Sequence, residues 1–286
     1  MRIAITGSNG LLGSSLKRLA MARKYYVVNI NRDDIYPRLG FDGIYTYIKS
    51  LKCDHLIHCA ANTNVEFCEV NKTDCFKDNT LLTEVIARVC NLLNVKFVFI
   101  SSTGIYGTGQ SEPYIEYDEI RPTTLHHKSK YLSEKLVNQI DHNSLVIRTG
   151  WLFGGDIDSP KNFIGNRIKE AKKSDGILYS DPNQTGNPTY VLDVSERILL
   201  LLKDNVSGTF NCVNTGVATR YDYVSEIIKN SQLNVVVQAT KSTFQRVAPV
   251  SFNESALNFK MTELGYEDLP YWQDSLKKYM DGMNNE

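Results

Sequence analysis

The sequence carries no net charge: 32 lysines and arginines balance 32 aspartates and glutamates over 286 residues. That balance argues against a protein whose main task is to neutralise nucleic-acid phosphates, which needs a basic excess or a basic face. No two of its six cysteines are spaced Cys-x-x-Cys, so zinc-ribbon and thioredoxin-type motifs are lacking and no metal site is expected. Cys53, Cys59, Cys68, Cys75, Cys90 and Cys212 read instead as free thiols of a reducing compartment, with Cys59 and Cys90 as small core residues. The longest apolar run, residues 198–202, falls far short of the roughly 20 residues that cross a bilayer. A first strand read from residue 2 leaves no room for a signal peptide before it. Repeats, low-complexity tracts and long linkers are lacking as well. The expectation is a cytoplasmic protein with no nucleic-acid or membrane partner. Its 42% hydrophobic residues suffice for a substantial core in one compact body.

What the sequence does have is a rhythm. Residues 2–6, 25–30, 54–60, 95–101 and 144–149 are short apolar runs that read as strands. Helical spacing fills the gaps: Leu12, Leu16 and Leu19 mark 11–23, a long helix lies within 72–93, and another covers 124–140. Continuous apolar strands separated by helices predict a parallel sheet covered on both faces. Right-handed crossovers then make it doubly wound, an α/β fold of Rossmann type. After Thr149 the rhythm loosens, punctuated by Gly154, Gly155, Pro160, Pro182, Gly186 and Pro188. A helix is expected over 192–202, a strand over 208–213, and helices over 218–230, 254–264 and 272–280. The resulting division is a dinucleotide-binding domain over 1–150, with 189–215 returning to it. A smaller substrate-binding region takes 151–188 and 216–286.

The glycines of Thr6-Gly7-Ser8-Asn9-Gly10-Leu11-Leu12-Gly13 directly follow the first strand and open the first helix. In such a loop one glycine permits the tight turn, a second admits the pyrophosphate to the backbone, and a third brings helix and sheet together. Amides at the helix start then face the phosphates. Gly7, Gly10 and Gly13, with Asn9, Leu11 and Leu12 between them, form the predicted cofactor cradle. The end of the second strand selects the cofactor. NAD sites usually place an acid there for the ribose, whereas a basic residue suits a 2′-phosphate. Here Asn31 stands at the acid position and Arg32 follows, which favours NADP(H) over NAD(H) through charge-assisted bonds to phosphate. Asp33 is placed either to contact the ribose or to pair with Arg32.

Further blocks follow in order: His58-Cys59-Ala60-Ala61-Asn62-Thr63-Asn64-Val65, Asn79, Ile100-Ser101-Ser102-Thr103-Gly104-Ile105-Tyr106-Gly107, and Pro113-Tyr114-x-Glu116-x-Asp118. Ser129-Lys130, Arg148-Thr149-Gly150-Trp151-Leu152-Phe153 and Gln184-Thr185-Gly186-Asn187-Pro188-Thr189 complete the series. With the glycine loop, their order and spacing resemble an extended short-chain dehydrogenase/reductase, and within it the dTDP-4-dehydrorhamnose reductases, over nearly the whole chain. The resemblance implies reduction of a 4-keto group on a nucleotide-linked 6-deoxysugar by a nicotinamide cofactor. It places Cys59, Ala60, Ala61 and Asn79 along the cofactor. Ser102 matches the residue that hydrogen-bonds the substrate carbonyl, with Thr103 as its neighbour and fallback. Lys130 matches the lysine that binds the ribose and supplies positive charge. Tyr106, Trp151, Phe163, Gln184 and Asn187 fall on the sugar-nucleotide pocket, although Trp151 also suits plain core and Asn79 plain helix geometry. Helices beside the sheet often pair subunits in this family, which makes a homodimer the candidate assembly.

Two departures stand out. The family's acid is a tyrosine four residues before the lysine, on the same helical face, and that position holds His126. An imidazole titrates near 6.5 without help and is pushed toward neutrality by a neighbouring ammonium. Neutral, it still has an N–H to offer a carbonyl as a weak electrophile. The expected catalytic set is thus Ser102, His126 and Lys130. The second departure is Arg246-Val247-Ala248-Pro249, where relatives carry an adjacent Arg-Pro pair. Two other readings share the motifs: a nucleotide-sugar epimerase or dehydratase, and a cofactor-binding regulatory homologue. The regulatory subunit of methionine adenosyltransferase also resembles this subfamily.

Overall fold

The computed structural model describes residues 1–36, 40–240 and 246–283. Five strands lead the first half: β1 (Arg2–Thr6), β2 (Tyr26–Ile30), β3 (His55–His58), β4 (Lys96–Ser102) and β5 (Leu145–Thr149). Between them run α1 (Leu11–Ala22), α2 (Arg32–Ile35), α3 (Phe41–Leu51), α4 (Val65–Val70), α5 (Lys72–Phe76), α6 (Leu82–Leu92) and α7 (Leu125–Ile140). Later come α8 (Phe163–Lys173), α9 (Val191–Lys203) and α10 (Arg220–Ser231). A sixth strand, Gly208–Asn211, joins the sheet beside β5. The six are parallel, in the order β2, β1, β3, β4, β5, Gly208–Asn211. Strand order reverses between β1 and β3. Open α/β sheets bind ligands outside the carboxyl ends of the strands at such a reversal.

Alternation along the strands divides the core between two faces. Ile3 and Ile5 of β1 pack with Leu12 and Leu16 of α1 and with Val194 and Ile198 of α9. Ala4 points the other way, toward Ile44 and Ile48 of α3, Ile86 of α6 and Val137 of α7. Each fully buried aliphatic side chain contributes about 1.5–3 kcal/mol. A one-residue slip would turn each of these side chains to the wrong face, so the pattern fixes the register. A buried ion pair ties α7 to β5: Arg148 donates to both carboxylate oxygens of Glu134, at 2.8–3.2 Å. Away from the sheet, Phe153, Tyr223 and Trp272 gather into a separate apolar cluster, and Ile177–Ser180 pairs in parallel with Val236–Ala239.

Four elements depart from expectation. The helix within 72–93 is broken by a π-helical turn at Lys77–Leu81, the kind of irregularity that often marks functional positions. Residues 254–264 are helical only over Phe259–Glu263. Before that the chain is extended, because Glu254 and Leu257 donate their backbone N–H groups to Thr185 and Tyr114 instead of to a preceding helical turn. Helices α3 and α8 were not foreseen. In α8 the signal was Asn162, whose side chain accepts from Gly165 N–H at 2.9 Å and caps the helix.

Candidate active site

The glycine loop is shaped by what it must avoid. Gly7 has φ +65°, and a Cβ there would stand 2.9 Å from the Ala60 nitrogen. A Cβ on Gly13 would stand 2.2 Å from the Gly7 carbonyl oxygen. Gly10 donates its N–H to that same oxygen at 2.8 Å and caps α1 without a side chain. The opening amides of α1 have no side-chain cap, and among the described residues the buried Ser8 hydroxyl has no partner. Both features fit the pyrophosphate of a dinucleotide. Leu12 packs into the core under the loop and Leu11 lies at its edge. Asn9 reaches Asn31, amide to amide, at 3.4 Å.

Beside the cradle lies a cleft of about 670 Å3 lined by Gly7, Asn31, Arg32, Tyr36, Ala60 and Asp78, among others. Asn31 opens α2, its N–H donating to Asp34 at 2.8 Å. Arg32 is largely exposed, with its guanidinium 4.3 Å from the centre of the Tyr36 ring and 3.6 Å from the Asp78 carboxylate. The Tyr36 hydroxyl donates to the same carboxylate. Burial, then Asp78, pushes that phenol up to about 12. Asp78, not Asp33, is thus the acid paired with Arg32.

Past β3 a directed hydrogen-bond chain holds the loop that carries Cys59, Ala60 and Ala61. Ala60 N–H donates to Thr6 Oγ1 at 3.2 Å, and that hydroxyl bonds His58 Nδ1 at 2.8 Å. His58 Nε2 bonds Thr83 Oγ1 at 3.1 Å, which donates to the Asn79 carbonyl at 2.6 Å. Asn79, in the π turn, closes the circuit. Its Oδ1 accepts from Asn62 N–H at 2.7 Å, and its Nδ2 donates to the Asn62 carbonyl at 3.2 Å and to Ser129 at 3.0 Å. Its polar atoms are engaged with protein, so Asn79 braces the loop after β3 from beneath.

His126 and Lys130 lie on one face of α7, both buried. His126 Nδ1 stands 3.0 Å from the Asn62 carbonyl. A carbonyl only accepts, so this nitrogen carries the proton and Nε2 is left as a lone pair. Burial first, then His127 and Lys130, lowers the imidazole to about 3. The N–H expected to face the ketone is therefore spent on the protein backbone. Lys130 Nζ lies 4.1 Å from the centre of the Phe99 ring. Burial lowers it to about 8, against the opposing pull of Glu134 and Cys59. Ser102 ends β4, its hydroxyl oxygen accepting from Gly104 N–H at 3.2 Å. That bond leaves the hydroxyl hydrogen available to a ligand.

The residues expected around the sugar separate into two groups. Trp151 is half-buried, its indole N–H on Glu254 at 2.9 Å and Arg220 stacked 3.4 Å above its ring centre. Phe163 stacks on Tyr223 with the Arg220 guanidinium at 5.5 Å. Gln184 accepts from Arg220 at 3.3 Å. Arg220 and Glu254 complete this cluster and were missed in the sequence, since nothing local marks them. Burial lowers the guanidinium to about 10 and raises the carboxyl. The other group is spent on structure. Tyr106 is fully buried, donates to Asn211 at 2.8 Å, accepts from Arg148 at 2.9 Å and stacks on Tyr114. It is a core residue and not a pocket wall. Asn187 bonds Gly216 and Ala256 backbone at 2.9 and 2.8 Å. Thr103 is buried against Gly150. Among the described residues no group of acids, histidines and cysteines is placed to hold a metal, and no helix is long and apolar enough to cross a membrane.

A parallel sheet with a glycine cradle at its reversal, a serine closing β4 and a lysine on α7 define an extended short-chain dehydrogenase/reductase scaffold. The family model described as the RmlD substrate binding domain matches residues 1–285, and the chain belongs to that family. It is 28% identical to a dTDP-4-dehydrorhamnose reductase of Mycobacterium tuberculosis, over 96% of this chain and 91% of that one. A solved dTDP-4-dehydrorhamnose reductase from Clostridium acetobutylicum superimposes with TM-score 0.93 at 26% identity, covering 99% of this chain and 100% of the other. Another from Bacillus anthracis, solved in complex with NADP, shares the fold with TM-score 0.92 at 24% identity, over 98% and 99%.

Proposed function

We propose that this protein reduces the 4-keto group of a nucleotide-linked 6-deoxysugar at the expense of NADPH. The observation that carries the reading is one cleft at the carboxyl ends of β1, β2 and β3. Gly7 of the cradle, Asn31, Arg32, Ala60 and Ala61 line it, Ser102 ends the strand next to β3, and the family match runs from residue 1 to 285. Arg32 favours the phosphorylated cofactor. The bound nicotinamide supplies a hydride to the carbonyl carbon. Ser102 holds the ketone oxygen, and Lys130 adds positive charge where negative charge develops. On the sugar side, Trp151 and Phe163 offer aromatic faces and Arg220 a cation to the nucleotide diphosphate. The reductase names of relatives make a dTDP-linked sugar the first substrate to try. Six unpaired cysteines agree with a cytoplasmic setting.

The test is to mix the purified protein with NADPH and a panel of nucleotide 4-keto-6-deoxysugars and follow absorbance of the reduced cofactor. Consumption with at least one sugar is expected. Because the His126 N–H is tied to Asn62, a second reading is a cofactor-binding regulatory homologue. NADPH binding without consumption on any sugar would decide for it. Sugar conversion without net NADPH loss would instead mark an epimerase or dehydratase.

A further inference from the structure

We propose that Lys161 binds the pyrophosphate of the dinucleotide, as a cation brought to the cofactor cleft from beyond β5. The proposal rests on the cofactor part of the reading above and adds to it a residue outside every motif singled out in the sequence. Three charged residues line the cleft: Arg32, Asp78 and Lys161. Arg32 and Asp78 stand 3.6 Å apart and largely cancel. Lys161 is exposed, and among the described residues its ammonium makes no hydrogen bond or ion pair. The acids of its own loop have other partners. Asp158 pairs with Lys169 at 2.9 Å, and Asp156 Oδ1 accepts from Asp158 N–H at 3.0 Å. Among the described residues, Lys161 is thus the uncompensated charge of the cleft lining.

The backbone around Lys161 is braced, so the ammonium is presented from a fixed base. Asn162, next in the chain, is buried. Its Nδ2 donates to the Gly154 and Asp156 carbonyls at 3.0 Å each, and its Oδ1 caps α8. The Tyr279 hydroxyl donates to the Gly155 carbonyl at 2.8 Å. At Gly155 the same loop bears on α1, since a Cβ there would stand 3.0 Å from Leu11 Cδ1. Leu11 opens α1, the helix whose first amides are placed for the pyrophosphate. The loop therefore reaches the cleft from the cradle side, whereas Arg32 reaches it from α2, beside Tyr36. Two cations held on separate elements suit two phosphate groups of one ligand. A helix N-terminus offers about half a unit of positive charge against the two negative charges of a pyrophosphate. An ammonium supplies what the backbone lacks, through charge-assisted bonds.

The test is calorimetry of NADPH and NADH on the full chain, with thermal melting to check that each variant folds. Both cofactors carry the pyrophosphate, and NADPH alone carries the 2′-phosphate. Lys161→Ala should weaken both by the same factor, about fivefold at low salt, the upper end for an exposed charge pair. At about 0.5 M salt the loss should shrink below about twofold, because an exposed contact is screened. Lys161→Arg keeps the charge and should hold both affinities within about twofold of wild type. Combined with Arg32→Ala, the two losses on NADPH should multiply, as expected of residues with separate partners. Unchanged affinity of Lys161→Ala for both cofactors overturns the proposal. So does a loss confined to NADPH, which would put Lys161 beside Arg32 on the 2′-phosphate. A wild-type chain that binds neither cofactor removes the cofactor reading and this proposal together. One that binds both but consumes no NADPH with any sugar removes the reductase reading and leaves the role of Lys161 standing.

Discussion

On the β1 side of the cleft the working groups are backbone atoms: the amides that open α1, the φ of Gly7, the close approach of Gly13 to the Gly7 carbonyl. On the α7 side they are buried side chains, His126, Lys130 and the Asn79 circuit. The two constructions fail differently. A backbone cradle tolerates no added atoms but is indifferent to protonation. A side-chain constellation admits replacement, as the imidazole at 126 shows, and in exchange its stability depends on pH.

That dependence gives the largest expected effect. His58, His126 and His127 are held at about 3, 3 and 4, in each case by burial before any other cause. An unfolded histidine titrates near 6.5. Between those values the unfolded chain binds more protons, so the stabilisation is present above pH 6.5 and is lost as pH falls toward the folded values. Lowering pH from 6.5 to 5.5 should cost about 1 kcal/mol per histidine, roughly 3 kcal/mol in all. Urea midpoints over this range measure it. His126→Gln should remove about a third of the slope, and an unchanged slope would mean that the imidazole is not buried neutral on α7.

The opposite half is probed by Gly10→Asp. Aspartate is a good N-cap, so α1 should keep its start. The carboxylate would nevertheless stand where the pyrophosphate approaches, and NADPH affinity should fall about 100-fold or more, some 2.7 kcal/mol. Calorimetry gives the affinity and thermal melting the stability. Unchanged affinity would detach the phosphates from this loop. Loss of stability in step with affinity would blur the distinction between the two halves.

The backbone half was the legible one. Its three glycines fall within seven positions, so strand, turn and helix are all present in one short stretch, although the close approach of Ala60 to Gly7 comes from beyond β3. The parallel sheet was legible for a similar reason, since apolar runs and helical spacing are local patterns. The acid beside Arg32 was not, because Asp78 arrives from a π turn that looks like ordinary helix in the sequence. Arg220 was missed because it meets Trp151 across sixty-nine positions. Residues 253–257 have helix-like composition but take their hydrogen bonds from Thr185 and Tyr114. Tyr106 has the right place in its motif, yet Asn211 and Arg148 claim its hydroxyl from two other strands. In each case a distant partner, silent in the local sequence, decides the role.

Arg32 is where the comparison is least clean, since it is the side chain on which the cradle relies to choose its cofactor. It is 69% exposed and already shares Asp78 at 3.6 Å. An exposed pair of that kind contributes about 0–1 kcal/mol, little enough for an incoming phosphate to displace. Arg32→Ala should therefore weaken NADPH about tenfold, near 1.4 kcal/mol, and NADH by less than about twofold. Asp78→Asn should act in reverse and tighten NADPH, because one negative charge no longer competes for the guanidinium. Calorimetry with both cofactors on both variants decides the matter. Equal losses for NADPH and NADH in Arg32→Ala would mean that Asp78 keeps the arginine to itself. The preference for the phosphorylated cofactor would then have to come from the backbone that shapes the rest of that half.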